Sequence, residues 1–257
     1  MTWPHRCGTG GGLPACGLAA APPAARLLTV LLLASLVALL AGACGASPPD
    51  VPATRILFIG NSFTYVNGGI DQQLKGLAPS VTTGTVTAGG YRLSDHWSAG
   101  TAAAQIRSGR WAYVVMQEQS QTPVVGRAAF ERYAREFDLE VRAAGGTTVL
   151  LMTWERPDSV RYGVTTAGLA QAYEAVGAAL GAKVAPAGLA FAEALRERPD
   201  LVLTSQDGHP TLAGTYLAAC VLYGVVYGRS PEGNPYGPLA AADNAFLQQV
   251  AARTLGL

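Results

Sequence analysis

The chain has 257 residues, 49% of them hydrophobic, and a formal net charge of +1. That length supports one sizeable α/β core and no second domain of comparable size, and the near-neutral charge excludes an electrostatic footprint for nucleic acid. Three histidines and four cysteines leave little material for a metal cluster or a disulfide framework, and neither is expected.

Residues 1–50 differ in composition from the remainder, with Gly, Ala and Pro dominating before Arg26. An apolar run follows over residues 27–40, interrupted only by Thr29 and Ser35. It has the length of a signal-peptide core and is short for a membrane span. Ala41, Gly42 and Ala43 stand immediately before Cys44, an arrangement that resembles a bacterial lipobox. The expectation is a signal peptide of lipoprotein type over 1–43, a tether over 44–54, and a folded domain over 55–257. The protein would then be exported and held by lipid on Cys44 at the outer face of a bacterial membrane, or secreted if cleavage occurs without lipidation. Cys7 and Cys16 leave with the leader, so Cys220 is the cysteine of the folded body, packed as a small hydrophobe in an apolar helix.

From Arg55 onward, strand-like and helix-like segments alternate, which argues for a parallel sheet covered by helices on both faces. Ile56 to Ile59 reads as a buried strand that stops at Gly60, where backbone freedom would permit a sharp turn presenting Asn61 and Ser62 on the rim. A short helix is predicted over 69–77 and a second strand over 81–88, leading into Gly89-Gly90. A third strand, 111–116, runs into Gln117-Glu118-Gln119-Ser120. The helix predicted over 127–144 takes its apolar face from Phe130, Tyr133, Phe137, Leu139 and Val141. A fourth strand, 147–153, ends at Trp154-Glu155-Arg156, where the indole is a candidate sugar platform or core lid. A helix over 165–180, a fifth strand over 183–186 and helices over 189–198, 210–227 and 243–255 complete the chain.

Open parallel sheets bind ligands beyond the carboxyl ends of their strands, so these polar strand ends are the candidate site. Ser62 is the candidate nucleophile; its competing role is to cap the helix that follows. A serine hydroxyl needs a base to take its proton and donors where an oxyanion forms. His5 belongs to the leader, leaving His96 and His209. Ser94-Asp95-His96 is triad-like only in writing, because consecutive side chains diverge, and His96 is read as structural. His209 follows a polar loop and precedes Pro210, which suits a first helical turn. Asp207 is close enough to orient it, although Asp207-Gly208 is also an ordinary turn sequence. Gly89-Gly90 admits close backbone approach, and Gln117 or Gln119 offers a side-chain amide.

These residues together resemble the SGNH (GDSL-type) hydrolases over most of the mature chain. Ile59-Gly60-Asn61-Ser62-Phe63 resembles the first block, with Asn61 where Asp is more usual. Ala88-Gly89-Gly90 resembles the glycine block, and Gln119 stands in register with the Asn of the third. The last block has Asp two residues before His, where the family has three. The resemblance implies a three-layer α/β/α domain with a mostly parallel sheet (flavodoxin-like) and a carboxylic ester hydrolase without cofactor or metal. Ser62, His209 and Asp207 would be catalytic, and Ser62, Gly90 and Gln119 would supply the oxyanion hole. The implied partner is a small-molecule or saccharide ester, with a short acyl group. The rival expectation is a weak or inactive surface lipoprotein of the same fold that binds carbohydrate.

Overall fold

The structure is a computed structural model that describes residues 53–257. The expected signal peptide, Cys44 and most of the tether lie outside the described residues. Five strands form one all-parallel sheet in the order β2-β1-β3-β4-β5, where β1 is Arg55–Gly60, β2 Thr82–Thr87, β3 Tyr113–Met116, β4 Thr147–Leu151 and β5 Lys183–Ala185. Strand β1 is an inner strand, paired with β2 and β3 and buried on both faces. Its Ile56 and Phe58 face one hydrophobic cluster while Leu57 and Ile59 face the other, as the period-2 alternation of a strand requires.

The first cluster is closed by α2 (Ile70–Leu77), α8 (Ala187–Glu197), α9 (Leu212–Tyr227) and α10 (Ala241–Leu255). Helix α9 is apolar all round and lies under α2, α8 and α10, so almost its whole surface is interior. Cys220 is fully buried there, its thiol pushed up to about 12 by burial, so it is an inert packing residue. The second cluster is covered by α3 (Leu93–Ala99), α4 (Thr101–Gly109), α6 (Arg127–Ala143) and α7 (Thr166–Leu180), with Val124 of the short α5 (Thr122–Val125) packed against it.

Two sequence expectations are corrected and two helices are added. Helices α3 and α4 were not anticipated; they meet at Gly100, in the left-handed region at φ 74°, and α4 buries mainly alanines besides Ile106, which gives little periodic signal. In α6 the buried apolar face is Phe130, Ala134, Phe137 and Val141, at spacings of three and four, whereas Leu139 lies off that face and is 59% exposed. Pro210 does not open α9: it forms an antiparallel bridge with Thr204, and Thr211 caps the helix by accepting from the Gly214 amide at 3.3 Å.

Candidate active site

Strands β1 and β3 are neighbours, but β2 lies on the far side of β1, so the chain reverses its direction of winding between β1 and β3. That is the topological switch point at which such sheets leave a crevice. Ser62 stands at its mouth as the first residue of α1 (Ser62–Tyr65). Asn61, not Ser62, caps this helix: its Oδ1 accepts from the Phe63 amide at 3.1 Å. The Ser62 hydroxyl is therefore free of the capping duty that competed with its candidacy.

The turn is held from below. Gln117, at the end of β3 and buried, accepts on Oε1 from the Asn61 amide and from Thr64 Oγ1, each at 2.9 Å, and its own amide donates to the Glu118 carbonyl. Asn61 Nδ2 donates to the Tyr91 carbonyl at 2.9 Å, tying the glycine loop to the serine turn. Gly60 is needed here for space and not for left-handed geometry: its φ is not positive, but a Cβ would stand 2.4 Å from Thr64 Oγ1 and 2.7 Å from Gln117 Oε1. Sequence reasoning offered Gln117 only as a substrate-facing donor. The structure turns it inward, a role that its position one residue past a buried strand did not reveal.

His209 Nε2 lies 2.8 Å from Ser62 Oγ, across 147 positions of sequence. Its Nδ1 lies 2.8 Å from Asp207 Oδ2, although the approach is oblique to the ring N–H. With a carboxylate beside Nδ1, the favoured neutral tautomer carries its proton there and leaves Nε2 to accept from the serine. The two-residue spacing works because the loop folds tightly on itself. Asp207 Oδ1 accepts from Ser205 Oγ at 2.5 Å and from the His209 amide at 3.2 Å, and Gly208 takes φ 84°. Donation from Ser205, then from the His209 amide and ring, holds the Asp207 carboxyl down to about 2, so it is an anion throughout the neutral range.

Trp154 is buried, with Nε1 donating to the Gly208 carbonyl at 3.1 Å. It is stacked between Phe191, 4.2 Å away, and Phe63, 5.0 Å away. Phe63 in turn meets the His209 ring edge-on at 5.3 Å. It is thus neither a sugar platform nor a lid but an interior pillar that supports both ends of the Ser62–His209 pair.

A cavity of about 310 Å³ opens over these groups, lined by Ser62, Gly90, Gln119, Arg156, Asp207 and His209 among others. Gln119 Oε1 accepts from the Gln121 and Thr122 amides and from Thr122 Oγ1 at 2.9–3.2 Å. Its amide nitrogen donates to Ser120 Oγ at a long 3.4 Å, and Gln119 and Ser120 both line the cavity. Gly90 lines the cavity at φ 73°. The Ser62 amide, at the start of its helix, has no intrahelical acceptor.

The remaining site candidates, His96, Glu118 and Glu155, have structural partners. His96 is buried, its Nε2 donating to the Gly60 carbonyl at 2.8 Å, and burial lowers its pKa so that it stays neutral. Glu118 is buried and accepts from the Gln119 amide at 2.7 Å and the Leu93 amide at 3.2 Å. Desolvation pushes its carboxyl up to about 7. Glu155 accepts from the Thr166 amide and hydroxyl at the start of α7.

No protein-family model and no curated protein sequence matches the chain. Among solved structures, a protein of Slackia heliotrinireducens described as a candidate SGNH hydrolase is 29% identical. It aligns with a TM-score of 0.60 over 68% of this chain and 100% of its own. A DUF4886 family protein of Bacteroides uniformis is 17% identical, with a TM-score of 0.64 over 79% of this chain and 94% of its own. An acetylxylan esterase of Geobacillus stearothermophilus is 15% identical, with a TM-score of 0.51 over 68% of this chain and 94% of its own. The all-parallel α/β/α architecture, with a serine at the end of its first strand, makes the chain similar in fold to the SGNH (GDSL-type) hydrolases among these neighbours.

Proposed function

We propose that the protein hydrolyses carboxylic esters through an acyl-enzyme on Ser62, with His209 as general base and Asp207 as its orienting acid. The observation that carries this reading is the relay of two 2.8 Å contacts, Ser62 Oγ to His209 Nε2 and His209 Nδ1 to Asp207 Oδ2, at the floor of an open cavity. Ser62 Oγ attacks the ester carbonyl carbon as its proton passes to Nε2. The developing oxyanion is met by donors from the Ser62 amide, the glycine loop and Gln119 Nε2. The imidazolium then protonates the leaving alcohol oxygen, and the carbonyl re-forms as the acyl-enzyme. Water, deprotonated by His209, repeats the attack and releases the acid, returning the proton to Ser62. A short acyl group on a saccharide suits an open cavity of about 310 Å³, and one structural neighbour is an acetylxylan esterase.

A fluorophosphonate probe tests the reading directly, since it reports an activated serine without a choice of substrate. Labelling that maps to Ser62 and is lost in His209→Ala supports it; an unlabelled wild-type protein refutes it and leaves a carbohydrate-binding role for the fold. The apolar run at 27–40 and the small residues before Cys44 support a second part of the proposal, export and lipid attachment at Cys44 to the outer face of a bacterial membrane. Intact-mass measurement of the membrane fraction checks it, and an unmodified amino terminus there, or unchanged partition of Cys44→Ala, overturns it.

A further inference from the structure

Arg156 lines the catalytic cavity and also lines a second cavity of about 270 Å³ that reaches toward Phe191 and Leu195. It is the cationic side chain among the described residues that shape the catalytic cavity, and it is 22% exposed. A partly buried guanidinium normally fills its five N–H donors with carboxylates or carbonyls. This one does not. Its aligned bonds are two, both 3.4 Å long, from Nη1 to Ser120 Oγ and from Nη2 to Asp158 Oδ2. Its Nε approaches Asp158 Oδ1 at 3.1 Å without alignment, and neither of those buried atoms has a hydrogen-bond partner.

The neighbouring charges leave room for one more anion. Asp158 is shared with Arg161, 3.1 Å away, so one carboxylate stands between two guanidinium groups. Asp207, the acid in the same cavity, has its oxygens engaged by Ser205 and His209. Glu155, which borders the second cavity, is engaged by Thr166. The stem of Arg156 lies over Gly208, where a Cβ would come within 2.5 Å of Cγ, so the stem packs against the catalytic loop one residue from His209. A stem with that packing role does not require a planar five-donor head; a planar two-oxygen ligand does.

We propose that Arg156 makes this a site for carboxylate-bearing esters, the guanidinium pairing with a carboxylate on the acyl or the alcohol part while the ester carbonyl lies at Ser62; the inference rests on the hydrolase reading above. Two substrate pairs separate the sources of the charge. Mono-4-nitrophenyl adipate against 4-nitrophenyl hexanoate places it on the acyl side, and O-acetylated methyl glucuronide against O-acetylated methyl glucoside places it on the alcohol side. In at least one pair kcat/KM should favour the charged member by about 10- to 100-fold, the range of a charge-assisted pair, carried mainly in KM because the contact exists before the transition state. Arg156→Gln should bring that ratio to near unity, and Arg156→Lys should retain part of it. The ratio is the readout because a merely loosened Gly208 loop would slow both members alike. No preference in either pair, or a ratio that Arg156→Gln leaves unchanged, overturns the inference. Calorimetry on Ser62→Ala with methyl glucuronide and monomethyl adipate keeps the two proposals apart. Arg156-dependent binding there, when the wild-type protein resists the fluorophosphonate, sinks the hydrolase reading and keeps this one; wild-type labelling without charge preference does the reverse.

Discussion

Gln117→Ala is the most informative perturbation of the serine turn, because Gln117 touches no substrate and yet holds the residues on either side of Ser62. Removing its Oε1 strands the Asn61 amide and the Thr64 hydroxyl, both on residues no more than 3% exposed. A buried donor left without a partner costs about 1–3 kcal/mol, so the pair should cost about 2–6 kcal/mol, a large part of the stability of an ordinary domain. The catalytic consequence follows from the same bonds. Once Asn61 is released, Ser62 is no longer held against His209 Nε2, and a misplacement near 1 Å lowers turnover about 10²-fold. Gln117→Met separates the causes, since it refills the space without restoring the acceptor. Urea unfolding and steady-state turnover of a 4-nitrophenyl ester should show both variants impaired. If both lie within about 1 kcal/mol of wild type with unchanged kcat, the hydrogen bonds do not hold the turn; if only Met is unimpaired, packing does.

Three further outcomes are expected. Ser62→Ala and His209→Ala should each abolish turnover, while Asp207→Asn, which presents an amide to Nδ1 and favours the wrong tautomer, should slow it about 10²- to 10⁴-fold, nearer the lower figure because the carboxylate is 66% exposed and obliquely placed. A silent Asp207→Asn beside a crippled Glu118→Gln or Glu155→Gln would move the acid elsewhere. Gln119→Glu keeps the acceptor that ties Gln121 and Thr122 but replaces the donor end with an oxygen; kcat should fall about 10²-fold with little change in KM, and a loss confined to KM would assign Gln119 to substrate binding. The Glu118 carboxyl is raised from 4.5 to about 7 by burial, so the unfolded chain ionises first as pH rises. Its favourable contribution is complete below pH 4.5 and is lost on the way up through pH 7, a decline of about 3 kcal/mol. Urea unfolding from pH 4 to 8 should show that decline in wild type and not in Glu118→Gln; equal slopes would refute it.

The unbroken apolar run Ile56–Ile59, the apolar run ending in Thr153 and the amphipathic spacing in α6 were enough to specify a parallel sheet with helices on both faces, because burial on two sides leaves unbroken apolar strands. Ser62 and His209, which the structure brings within 2.8 Å, were legible as candidates, since a hydroxyl at a strand end and a scarce histidine after a polar loop are few enough to weigh one by one. Three things were decided only in three dimensions. Gly60 matters for the space that Thr64 and Gln117 occupy and not for its backbone angles. Gln117 and Gln119, two residues apart at the end of one strand, have different surroundings, one bonded into the serine turn and one lining the cavity. Trp154 became a pillar because Phe191 and Phe63 arrive from distant segments to enclose it. Each depends on contacts between residues far apart in the chain, and local pattern carries no record of which distant side chain will fill a given space. The Asp207 spacing shows the same limit: two residues from His209 is short by the family pattern, yet a left-handed Gly208 and a carboxylate bonded back to the His209 amide bring the acid to Nδ1.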